Sequence, residues 1–113
     1  MIINLSPVRM DEGLLAEREG DLLYLNGEVF DFGALLEGAT LPREAIDSRW
    51  FAGPVERIDG ELVLTLLLPH GPNAPEATRF PQPIKMTNDG SIGLPLYDLV
   101  PDSEKVAEQG DEQ

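Results

Sequence analysis

His70 is the only histidine of the chain and stands in the run Leu68-Pro69-His70-Gly71-Pro72-Asn73. An imidazole serves as a general base when a nucleophile and an orienting carboxylate lie in reach, and as a zinc ligand when two or three further donors join it. With no cysteine and no second histidine, a transition-metal centre is not expected. His70 therefore reads as a strand-end or loop residue packed among prolines, and as a candidate contact for a partner. Carboxylates recur close together at Asp11-Glu12, Glu17 with Glu19, and Glu28 with Asp31, and glycoside hydrolysis needs two carboxyl groups about 5–10 Å apart. In a chain with 21 acidic residues such pairs arise by chance, so a solvated face accounts for them. The run Thr87-Asn88-Asp89-Gly90-Ser91 comes nearest to a calcium loop, but it is too short to supply six or more oxygen ligands. Phosphate-binding glycine loops, nucleophile elbows and dinucleotide fingerprints do not occur. The chemistry-bearing residues thus predict a non-enzymatic protein without cofactor or metal.

The elements that would position these residues are hairpins. Leu25-Asn26-Gly27-Glu28-Val29 and Ile58-Asp59-Gly60-Glu61-Leu62 share one frame, 33 residues apart, and Gly90 follows 30 residues after Gly60. Asn-Gly or Asp-Gly between apolar runs is a strong hairpin signal, because both central residues of a type I′ turn need positive φ. The first hairpin pairs Leu25 with Glu28, Tyr24 with Val29 and Leu23 with Phe30. The second joins Val55–Ile58 to Glu61–Leu68 and collects Leu62, Leu64, Leu66 and Leu68 on one buried face. A third, shorter hairpin is expected from Ile84–Thr87 and Ser91–Leu94 around Asn88-Asp89-Gly90. Asn26, Gly27, Asp59, Gly60, Asp89 and Gly90 are thus structural turn residues. Ile2–Leu5 reads as a first strand ended by Pro7, since proline has no N–H for a ladder, and Leu14–Arg18 as a second short strand. A helical turn is expected from Pro42 to Ile46. The class is mainly β: a small antiparallel, hairpin-rich sheet, sandwich or partly open barrel with at most one short helical turn.

Length and charge bound what remains. The 113 residues fit one β-rich domain over residues 1–100, and 101–113 read as a disordered acidic tail with a net charge of −4. No basic segment followed by an apolar run opens the chain, and the apolar stretches are too short for a membrane span. The formal charge is −13, with only eight basic residues, which argues against nucleic acid or an anionic membrane as partner.

Trp50-Phe51 is the densest aromatic spot, and it reads either as a core plug or as an exposed anchor for a partner. Five prolines between Pro69 and Pro83 exclude a helix or central strand there. That stretch, with Phe80 near its end, reads as an extended arm that reaches a neighbour or straps its own core. Trp50, Phe51, His70 and Phe80 are accordingly the candidate partner-binding residues, together with the strand edges.

Met1-Ile2-Ile3-Asn4-Leu5-Ser6-Pro7, Leu25 to Phe32, Phe51 to Gly60, Leu66 to Pro72 and Ala77 to Pro81 together resemble a group of small uncharacterised tail-region proteins of tailed phages and prophages, encoded near the genes for tail tip and tail fibre. The resemblance covers the chain to about Pro95. It implies a virion structural protein of the tail tip, baseplate or fibre, or a helper in tail-fibre assembly. The implied partners are other phage tail proteins or further copies of the chain. The implied location is the host cytoplasm during assembly, with the virion tail as destination. The charge supports a different class, an acidic inhibitor or decoy that occupies the basic surface of a nucleic-acid-binding protein. A polysaccharide hydrolase rests on the carboxylate pairs alone.

Overall fold

The computed structural model describes residues 1–98; the acidic tail expected over 101–113 lies outside the described residues. Among the described residues, nine strands form two open sheets. They are β1 (Ile2–Arg9), β2 (Ala16–Glu19), β3 (Leu22–Leu25), β4 (Glu28–Asp31), β5 (Thr40–Leu41), β6 (Val55–Ile58), β7 (Glu61–His70), β8 (Ile84–Lys85) and β9 (Gly90–Ser91). The first sheet has the order β5-β6-β7-β1-β8, the second β4-β3-β2-β9. The fold is mainly β, as expected, and neither sheet closes into a barrel. A 3-10 turn at Arg43–Ala45 follows Pro42, and a four-residue helix, α1, spans Glu76–Arg79 inside the proline-rich stretch, where only an extended path was expected.

Both Asx-Gly hairpins form as their turn chemistry requires. Asn26 and Gly27 have φ of 51° and 87°, Asp59 and Gly60 φ of 54° and 79°. The registers Leu25 with Glu28 and Ile58 with Glu61 leave two-residue loops. The third hairpin does not form. Ile84–Lys85 pairs antiparallel with β1 in the first sheet, whereas Gly90–Ser91 pairs with β2 in the second. Asp89 and Gly90 are therefore not a hairpin tip; the chain changes sheets there, and the Asp89 carboxylate accepts the Gly20 amide at 2.9 Å.

The longest pairing is parallel, between β1 and β7, from Ile2 beside Val63 to Arg9 beside His70. It carries β1 past Pro7, where the strand was expected to end. Met1 exchanges hydrogen bonds with Met86 on the β8 side, whereas the Met10 amide donates to His70 O on the β7 side. Alternation along the strand then turns the nitrogen of Pro7 away from β7, where the missing N–H costs no ladder bond. Pro69 uses the same device in β7. Leu67 N donates away from β1 to Trp50 O at 2.8 Å, so Pro69, two residues on, also faces away from the parallel ladder.

The inner faces of the two sheets share one core. Leu62, Leu64 and Leu66 meet Ile3 and Val55 from the first sheet and Leu23 and Leu25 from the second. Complete burial of one such side chain is worth about 1.5–3 kcal/mol. Phe51 bridges to Leu66 at the sheet margin, and its ring lies 5.2 Å from Phe30 and 5.9 Å from Phe32, both edge to face.

The Met1 ammonium is buried against this layer, 3.1 Å from the Glu61 carboxylate. That hydrogen bond holds the Glu61 carboxyl below its ordinary range. A depressed carboxyl pKa contributes stability at neutral pH that is lost as pH falls through the folded-state value. Glu61→Gln is accordingly expected to lower the urea midpoint at about pH 7 and to cost progressively less as the pH falls through the acid range; a loss that does not shrink with falling pH would contradict the ion pair's role.

Candidate functional site

The four candidate partner residues are not brought together. Trp50 and Phe51 are buried, Phe51 completely, so the anchor reading is corrected: the pair belongs to the core. The Arg49 guanidinium lies over the Trp50 indole, 4.7 Å from its centroid. His70 is half-buried at the end of β7 with Nδ1 2.9 Å from Gly71 O. A carbonyl only accepts, so this contact places the proton on Nδ1. Phe80 ends α1 and is 67% exposed, with the Arg79 guanidinium 5.7 Å from its centroid. The proline-rich stretch around it packs on its own fold, since Ala74 and Thr78 are buried and α1 lies against β7.

The turn residues hold neighbouring segments. Glu37 places its carboxylate on the amides of Asp59 and Gly60, at 2.6 and 2.7 Å, and so covers that hairpin tip with an acceptor. Asn26 does the reverse. Its Oδ1 accepts from Leu15 N at 2.7 Å, its Nδ2 donates to Gly13 O at 3.1 Å, and its amide donates to Leu15 O at 2.8 Å.

That clasp forms one wall of a cleft of about 1020 Å³. The opposite wall is the segment from Ile92 to Tyr97, and Leu68 and Pro69 of β7 also line the cleft. The second wall is pinned along its length. Ile92 N donates to Ala16 O at 2.9 Å, the Thr78 hydroxyl to Leu96 O at 2.6 Å, and Gly71 N to Tyr97 O at 2.8 Å. The Tyr97 hydroxyl donates to Met10 O, tying the wall to the end of β1. A β-carbon at Gly71 would collide with the Asp98 carboxylate, which accepts the Asn73 amide at 2.8 Å; glycine there permits the close approach.

The lining is largely apolar, and two of its leucines face solvent: Leu15 is 79% and Leu96 56% exposed. Scattered exposed leucines are ordinary on a protein surface, but two around one apolar cleft make a patch suited to a partner. Glu12 and Glu17 are the charged residues of the lining, which contains no Lys, Arg or His. Glu12 is paired with Arg49. Glu17 has no ion-pair partner among the described residues.

Sequence reasoning missed Leu15, Leu96 and Tyr97. Leu15 was absorbed into a strand expected over Leu14–Arg18, which begins only at Ala16. The usable signal was Gly93-Leu94-Pro95-Leu96, an apolar run whose proline and glycine keep it out of any regular strand. Among the described residues no cluster of three or more His, Asp or Glu is placed to hold a metal ion, and no helix is long and apolar enough to cross a membrane. No protein-family model, curated protein or solved structure matches the chain.

Proposed function

We propose that this protein is a non-enzymatic binding module whose cleft between Asn26-clasped Leu15 and the Ile92–Tyr97 wall receives another protein. The observation that carries the reading is the combination of solvent-facing Leu15 and Leu96 with walls that are already hydrogen-bonded in place. A surface fixed before binding loses little conformational freedom on association. The resemblance of its hairpin and strand segments supplies the setting: a minor tail tip, baseplate or fibre component of a tailed phage, or a helper in tail-fibre assembly. Strand edges are weaker candidates. Pro7 and Pro83 flank the β1–β8 margin, β5 and β9 have two residues each, and β4 carries Glu28 and Asp31; these are features that discourage strand addition.

Pull-down with purified tail proteins tests the reading. Capture of a tail protein is expected, with Leu15→Asp reducing it by about tenfold, the equivalent of one buried leucine side chain lost. Capture of none would overturn it, and mass spectrometry of purified virions then separates a resident component from an assembly helper. A second reading, the acidic decoy, is favoured by the outer face of the second sheet. There the registers place Glu17, Glu19 and Asp31 around Leu22, Tyr24 and Val29. It predicts capture of a nucleic-acid-binding protein that survives Leu15→Asp and is lost in high salt.

A further inference from the structure

We infer that the cleft takes a peptide segment of a partner that presents apolar side chains next to lysine or arginine; this rests on the binding-module reading and adds the chemistry of the bound segment. Two independent features decide the class. The walls and floor offer leucine, isoleucine, proline and tyrosine surface, which rewards burial of apolar side chains. Two acids, Glu12 and Glu17, stand in the same lining; Glu12 is taken by Arg49 from outside it, which leaves Glu17 as the free charge among the described residues. Glu17 is exposed and lacks an ion-pair partner among the described residues, so an incoming ammonium or guanidinium gains a charge-assisted hydrogen bond there without displacing an existing one.

Charge also chooses between a foreign segment and a second copy of this chain. Each copy carries −13, so self-association brings like charge to a lining that is itself acidic. A basic segment is drawn in by the same field. A small apolar ligand fits less well. The volume lies at the top of the range for small-molecule sites, about 300–1,000 Å³, and the lining's charged groups are two acids rather than a converging set of donors and acceptors.

The test uses the full chain and a library of random dodecapeptides presented by mRNA display. Enriched sequences are expected to combine Leu, Ile or Phe with an excess of Lys and Arg. One enriched peptide, fluorescently labelled, is then titrated by anisotropy. Leu15→Asp and Leu96→Asp are each expected to weaken it by about tenfold or more. Glu17→Lys should weaken it several-fold and flatten its salt dependence. Leu36→Asp, at an exposed leucine outside the cleft lining, should change nothing. All four positions are solvent-exposed, so the variants are expected to keep the wild-type circular dichroism spectrum and urea midpoint. Enrichment without a basic excess, no enrichment, undiminished binding by both leucine variants, or a concentration-dependent dimer abolished by Leu15→Asp would each overturn the inference. A tail protein captured equally by wild type and both leucine variants would leave a binding module standing and remove the cleft as its site. Basic, cleft-dependent peptides without a tail-protein partner would do the opposite, keeping the cleft chemistry and removing the phage setting.

Discussion

Phe51→Ala is expected to destabilise the protein by about 3–5 kcal/mol, the range for truncating a fully buried aromatic side chain. Phe51 has 0% exposure and sits where the two sheets meet. Its backbone bridges to Leu66 of the first sheet, and its ring receives Phe30 of the second and Phe32, just past the end of β4, at interplanar angles of 75° and 78°. Such edge-to-face pairs contribute about 0.5–1.5 kcal/mol each beyond area burial. The alanine variant therefore loses the side chain that fills the space between layers and both aromatic contacts, leaving a void that strands on either side cannot close without breaking ladders. A small domain has about 5–15 kcal/mol in total, so the variant should show a large shift in its urea midpoint with an unchanged slope. Phe51→Leu, which refills part of the volume, should recover a good share of the loss. A cost below about 1 kcal/mol for the alanine variant would contradict the assignment of Phe51 as the inter-sheet plug.

The same residue shows where sequence reasoning stops. An aromatic pair in an irregular connection is by type alone equally suited to a core and to an interface, and only the layer packed over it decides. Residues 55–68 were legible because their determinants are local. Asp59-Gly60 meets the positive-φ demand of its turn within two residues, and the leucine alternation states its own buried face. Nothing local announces that β1 pairs with β7, whose aligned residues are about 60 positions apart and parallel. Nor does anything local show that the strands on either side of Asn88-Asp89-Gly90 belong to different sheets. Turn chemistry specifies a reversal, and the competing partners β1 and β2 then won each half. The cleft was illegible for the same reason. Its walls and floor come from the residues before β2, the first hairpin tip, the end of β7 and the run after β9, none of which carries a period that marks it as apolar surface.

Arg57 is the residue whose role is most distant from its appearance in the sequence, and Arg57→Met is expected to cost about 2–4 kcal/mol. Strand alternation puts Arg57 on the face of Val55, opposite Leu62, so a guanidinium enters the space between the sheets. Its side chain is only 14% exposed. Nε donates to Leu35 O at 2.5 Å, and one terminal nitrogen donates to Phe32 O at 3.0 Å and to the Asp21 carboxylate at 3.2 Å. Its main chain is held from the other side, with Gly38 N donating to Arg57 O at 2.8 Å. One side chain thus ties the first sheet to both ends of the first hairpin and to the connection that follows it. Methionine keeps much of the stem's packing and removes every donor, which leaves the two carbonyls and Asp21 without this partner; the loss of that set, rather than a single net hydrogen bond, gives the magnitude. Lysine retains the charge but not the planar fork, so Arg57→Lys should recover only part of the stability. In a double-mutant cycle with Asp21→Asn the losses should fall short of additivity by roughly 0.5–1.5 kcal/mol, the share carried by the ion pair. Additive losses would assign the effect to the carbonyls of Phe32 and Leu35, and a methionine variant within about 0.5 kcal/mol of wild type would show that the sheets hold together without the clasp.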